Sequence, residues 1–147
     1  MNHASRLFAG WVLAAVRRFG WLPVAYFVFH LLAVFVLRLY AVIPHLDVYM
    51  HAGGGAVIAW FFRGAIDLPE AEPVMGQLTP LGRDLWAWTA LGTAVVAWEG
   101  AEWITDRLGL TRWQLSIDDT IADMGLGVTA GTILLVVGAA LRARRAA

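Results

Sequence analysis

Apolar residues in this chain fall in long blocks, with polar residues gathered between them. Crossing a hydrocarbon core takes about 20 mostly apolar residues in helical form. Four blocks come close to that length: 21–40, 46–62, 85–104 and 119–141. The second is short and interrupted by Gly53, Gly54 and Gly55. Pro23 sits in the first turn of the first block, where a missing N–H costs little. The pattern predicts an all-α fold: a polytopic membrane helical bundle with four transmembrane helices, forming a single integral membrane domain over 1–147. Residues 5–20 set Leu7, Phe8, Trp11, Val12, Ala15 and Val16 at helical spacing, with Arg6, Arg17 and Arg18 among them. This reads as an amphipathic helix lying in the interface. No small-residue cleavage site follows the next apolar run, so the rival reading as a signal peptide is set aside. Residues 63–84 form a polar loop containing Pro69, Pro73 and Pro80.

Composition supports the bilayer as solvent. The chain is 60% hydrophobic and 15% charged, against roughly 45–50% and 25% in soluble domains. Net charge is zero with no long basic run, so nucleic acid is not a partner. The absence of cysteine excludes disulfides, thiolate metal sites and cysteine nucleophiles. All eleven basic residues are arginine, and Ala and Gly are abundant, a hint of a GC-rich bacterial genome. Arg6, Arg17, Arg18, Arg63, Arg83, Arg142, Arg144 and Arg145 all fall on one side of a four-span topology. The positive-inside rule makes that side cytoplasmic, predicting a bacterial inner-membrane protein with both termini inside.

This topology brings ionisable residues from three helices to the outer interface. Asp47 and His51 open the second span, Glu99 and Glu102 close the third, and Asp118, Asp119 and Asp123 open the fourth. Spacings of three and four place each set on one helical face, with Asp106 continuing the stripe of Glu99 and Glu102. Gly127 and Gly131 extend the Asp123 face as a GxxxG packing surface, so the acids point into the bundle. Clustered carboxylates need protonation, arginine partners or a bound cation. Carboxylates with one imidazole suit a divalent Mg, Mn, Fe or Zn ion. The candidate metal ligands are Asp47, His51, Glu99, Glu102, Asp119 and Asp123. Glu99, Glu102 and His51 are the candidate catalytic groups, and Arg107 and Arg112 are candidates for holding a head-group phosphate. The plainer readings are interfacial or capping roles for Asp47, Asp106 and Asp118, and packing for the glycines. His30, mid-span, reads as a buried histidine satisfied by a hydrogen bond, in preference to a haem or pigment ligand.

Three elements, Asp47–His51–Gly55, Glu99–Glu102–Trp103 and Asp119–Thr120–Asp123–Gly127–Gly131, resemble the VanZ-like superfamily in order and spacing, and in particular its branch of small inner-membrane proteins of the YjdF type. The resemblance covers about residues 46–131 and implies the fold and the importance of these positions. It implies no substrate, since most of that branch has no assigned activity.

Two functions of different class follow. In the first, the acidic/His cluster binds a divalent metal or a lipid or cell-envelope head group, with catalysis left open. In the second, the chain is a non-enzymatic accessory subunit of a larger membrane complex, its partners other membrane proteins or a second copy. Transport ranks below both, because only Thr89, Thr93, Thr129 and Thr132 continue a polar track inward.

Overall fold

A computed structural model describes residues 2–114 and 116–146, and the side chains up to Arg145. Every regular element among the described residues is helical. Six α-helices run in order: α1 (His3–Phe19), α2 (Trp21–Leu31), α3 (Leu46–Ile66), the single turn α4 (Glu72–Met75), α5 (Pro80–Arg107) and α6 (Ile117–Ala146). Local chemistry sets several boundaries. The Asn2 side chain caps α1 by accepting from the Ser5 N–H at 2.8 Å. Thr79 caps α5 in the same way at Gly82, with Pro80 at the first helical position. At its other end α5 stops at Gly109, whose φ of 72° lies in the left-handed region that glycine adopts without strain.

Helix α6 over Ile117–Arg145 is long and apolar enough to cross a membrane. The segments His3–Phe19 and Trp21–Val36 meet that standard only as a pair bent by 63°. The first predicted span differs from expectation. Regular α-helix ends at Leu31 and gives way to a π-helical turn, Leu32–Val36, and then a 3-10 turn, Leu39–Ala41. Arg38 between them has a left-handed φ of 53°. The chain turns back here so that the Tyr40 hydroxyl reaches His30 Nδ1 at 2.9 Å. Conversely, α5 and α6 extend beyond the predicted 85–104 and 119–141, and the 63–84 loop contains α4.

The core of the bundle is a three-helix contact of α3, α5 and α6, with α3 against α6 its closest packing. Its buried positions recur about every fourth residue: Gly55, Ala59 and Arg63 on α3; Ala87, Leu91, Val95, Glu99 and Glu102 on α5; Asp123, Gly127, Gly131 and Leu135 on α6. The triple glycine does not unwind α3. A Cβ on Gly55 would lie 2.0 Å from the Gly127 carbonyl oxygen, and one on Gly131 would lie 2.4 Å from Leu91 Cδ2 and 2.9 Å from the Gly55 carbonyl oxygen. Backbone thus meets backbone between α3 and α6, as small-xxx-small faces allow. Gly53 gives room to Tyr26, whose hydroxyl donates to the Met50 carbonyl at 2.9 Å and ties α2 to α3.

Helix α1 is not only a surface element. Trp11 is buried, donates from Nε1 to the Ala65 carbonyl at 2.8 Å and packs on Trp86. At this same end Arg63, 8% exposed, pairs with Asp67 and with Asp84 (2.5 Å), while Arg142 reaches Asp84 at 2.7 Å and Arg83 reaches Asp67 at 3.0 Å. Partial burial works against the Asp67 carboxylate, but hydrogen bonds from Arg63 and Arg83 outweigh it and hold its pKa below the usual range.

Gly55→Ala should destabilise the protein by about 1–3 kcal/mol, since the new methyl must force α3 from α6. Gly100→Ala, at a helical position with nothing within 4 Å of a Cβ, should be neutral or stabilising by about 0.5–1 kcal/mol. Denaturant titration of helical circular dichroism in detergent separates the two, and equal costs would contradict the close crossing.

Candidate acidic and histidine site

Each core stripe ends, at the end of the bundle away from Arg63, in an ionisable side chain. On α3, His51 lies four residues before Gly55; on α5, Glu99 lies four after Val95; on α6, Asp123 lies four before Gly127. The helical repeat therefore stacks each of them directly on a packed position. Glu99 is 4% exposed, Glu102 5% and Asp123 6%.

His51 is the centre of the cluster. Its Nε2 lies 3.5 Å from Asp47 Oδ1 and 3.7 Å from Asp123 Oδ2, and its Nδ1 lies 3.5 Å from Glu99 Oε1. Two groups with donor atoms close enough to share one ion result: Asp47, His51 and Asp123, and His51, Glu99 and Glu102. The imidazole therefore presents a different nitrogen to each group. Both carboxylate oxygens of Glu99 are buried with no hydrogen-bond partner among the described residues. A buried carboxylate with no hydrogen bond is disfavoured. Beside Glu99 only the His51 imidazole is at hand, so the site calls for a proton or a cation, and its donors fit the second.

The structure brings together five of the six predicted metal ligands. Asp119 falls in neither group; it lies in the first turn of α6, where its backbone N–H donates to Ser116 Oγ at 3.1 Å. The two arginines considered for a phosphate are exposed, and Arg107 lies over the Trp103 ring at 5.3 Å.

Asp106 leaves the stripe of Glu99 and Glu102 and acts as a loop anchor. It accepts from the Thr111 hydroxyl and from the backbone N–H groups of Trp113 (3.0 Å) and Gln114 (2.9 Å). These bonds hold its carboxyl below the usual range. The loop after α5 is thereby folded back over the helix end. Gln114 Nε2 donates to the Glu99 carbonyl at 3.1 Å, and Trp113 stacks on Trp98 with ring centroids 6.4 Å apart.

His30 joins this aromatic group from α2, edge-on to Trp98 at 5.6 Å and Trp113 at 5.5 Å. Its Nδ1 is satisfied by Tyr40, but Nε2 is buried without a hydrogen-bond partner among the described residues. A cavity of about 200 Å³ begins at His51, Glu99 and Asp123 and is otherwise largely apolar, with His30, Tyr26, Phe27 and Trp98 among its walls. Sequence reasoning found the acids but not this cavity. The aromatic residues 30, 98 and 113 have no periodic relation, and only the reversals after Val36 and Arg107 bring them together.

Compared with known proteins, the chain matches no family model, no curated protein and no solved structure.

Proposed function

We propose that this chain is a four-span bacterial inner-membrane protein that holds a divalent cation at its outer interface and leaves coordination positions for a ligand oxygen. The observation that carries the site is Glu99, whose two buried oxygens have no hydrogen-bond partner among the described residues while an imidazole nitrogen and Glu102 stand beside it. A single ion takes one imidazole nitrogen. The orphaned carboxylate favours the Nδ1 side, so that His51, Glu99 and Glu102 are the protein ligands. His51 Nε2–H then faces Asp47 and Asp123, the carboxylate partnership that fixes a metal-bound imidazole. Three protein donors leave a position open, the arrangement of catalytic rather than structural sites. Oxygen-rich donors with one imidazole suit Mg, Mn, Fe or Zn. The bound ion would polarise a phosphoryl or carbonyl oxygen or acidify a water.

The membrane reading is supported by the outer surface of the bundle. Phe27 and Val28 on α2, Val96 on α5 and Ile133, Val136 and Val137 on α6 are all exposed, an apolar exterior that water does not favour. The resemblance to VanZ-like proteins, resting on three short elements, is consistent with this reading.

A purely structural acidic cluster calls for arginine partners. Among the described residues every arginine paired with an acid lies in the group around Asp67 and Asp84, at the opposite end. Transport along the bundle needs an inward polar track, yet Thr89 and Thr93 are exposed and each bonds the carbonyl four residues back on its own helix.

Detergent-purified protein incubated with Mn or Zn should carry about one ion per chain by elemental analysis. The doubly substituted Glu99→Gln, Glu102→Gln protein should carry almost none at unchanged helical content, and Asp123→Asn should weaken affinity about 10–100-fold. An ion-free parent, or variants that bind as well as the parent, would overturn the site. Topology has its own check. With no native cysteine, Leu110→Cys should react with a membrane-impermeant maleimide in intact cells, while Gln77→Cys should react only after permeabilisation. Equal labelling of both would contradict the four-span arrangement.

A further inference from the structure

The cavity below the cluster has a shape and polarity of its own. It follows α3 from Met50 to Ile58, eight steps of helical rise or about 12 Å, with Pro23 to His30 of α2 on one side and Ala94 to Glu99 of α5 on the other. Helix α2 reaches α5 across it through aromatic contacts, Phe27 and His30 on Trp98. Its volume of about 200 Å³ exceeds that of an engineered apolar cavity that stays dry and binds benzene, about 150 Å³. One end is polar, where His51, Glu99 and Asp123 line it; the length beyond is walled by Val57, Ile58, Ala94 and Val95.

We infer that this cavity holds the hydrocarbon chain of a lipid whose uncharged, oxygen-bearing head group (a hydroxyl or ester carbonyl) meets the cation. The inference rests on the cation site proposed above and names its ligand class. Two observations select the head group. A divalent ion with Glu99 and Glu102 is neutral, but Asp47 and Asp123 remain beside it, so an anionic head group meets net negative charge. His30 is more than nine-tenths buried and lines the same cavity, with its Nε2 unpartnered among the described residues. With Nδ1 taken up by the Tyr40 hydroxyl, Nε2 is the imidazole nitrogen left to meet a head group: a hydroxyl serves it in either tautomer, and an ester carbonyl serves it as N–H. An apolar chain alone would leave that nitrogen unsatisfied, and an ammonium head group would compete for the carboxylates that hold the ion.

The test uses the full chain in nanodiscs, loaded with Mn, and a long-chain primary alcohol carrying a mid-chain diazirine, with photolabelled peptides read by mass spectrometry. Label should concentrate on residues 54–58 and 94–98. Ala94→Phe and Gly54→Leu fill the cavity from opposite walls; a Cβ on Gly54 meets only ordinary contact, 3.5 Å from Tyr26. Each should retain the parent's Mn content and lose label about ten-fold, the effect of displacing roughly two methylenes. His30→Phe, which keeps the aromatic packing, and chelation of the ion should each lower labelling as well. With Mn bound, label spread over the lipid-facing helices and unchanged in the filled variants would overturn the inference while leaving the cation site standing. Cavity labelling indifferent to chelation and to His30→Phe would overturn the head-group assignment. A parent that binds no Mn would overturn the cation site itself, and the head-group assignment with it.

Discussion

The close passage of α3 across α6 is the constraint from which the remaining geometry follows. Gly55 and Gly127 lack the Cβ atoms that would hold the two backbones apart, and the two helices carry His51 and Asp123 one turn away from that contact. Separation of the helices by the width of a methyl group would carry the imidazole and the carboxylate apart with them. Helix α5 completes the same contact with Leu91 and Val95 against Gly131 and Gly127, and Glu99 is the next residue of that stripe. Packing and site are therefore one periodic feature: small or apolar residues where the helices touch, ionisable ones where the contact opens at one end of the bundle.

The two ends of the bundle treat charge in opposite ways. At one end, buried Arg63 is met by Asp67 and Asp84, with Arg83 and Arg142 closing the network. Breaking a buried pair leaves an uncompensated charge, so this network fixes the relative positions of α3, α5 and the end of α6. At the other end four carboxylates surround one imidazole, and the Glu99 carboxylate has no hydrogen-bond partner among the described residues. Arginines meet the acids at the first end, whereas in the cluster at the second the only basic group among the described residues is one imidazole, and the clustered donors could hold a cation. The aromatic group of His30, Trp98 and Trp113 and the loop anchored by Asp106 close over that end, giving the site an apolar flank.

Much of this was legible in the amino-acid sequence, for a specific physical reason. His51 to Gly55, Glu99 to Glu102 and Asp123 through Gly127 to Gly131 are local spacings on regular helices, and helical periodicity alone places each set on one face. The all-helical fold and the gathering of five acidic and histidine side chains follow from it. What periodicity does not encode is chain reversal. The π-helical turn after Leu31 departs from the 3.6-residue repeat. Asp106 leaves its predicted stripe because a helix C-terminus offers loop N–H groups that no helical wheel displays. The polar pattern places Arg63 in a loop, yet it is the buried hub of an ion network whose partner Asp84 lies 21 residues on. Tertiary pairing rather than local pattern decided each of these.

The central claim is that one imidazole nitrogen, that of His51, ligates a divalent cation beside Glu99. Electron spin-echo spectroscopy of the Mn-loaded protein addresses it directly by reading nitrogen hyperfine coupling at the metal. The account predicts coupling from a single histidine nitrogen, abolished by His51→Gln and retained in His30→Phe and His45→Gln. Bound Mn without nitrogen coupling, or coupling that survives His51→Gln, would contradict it.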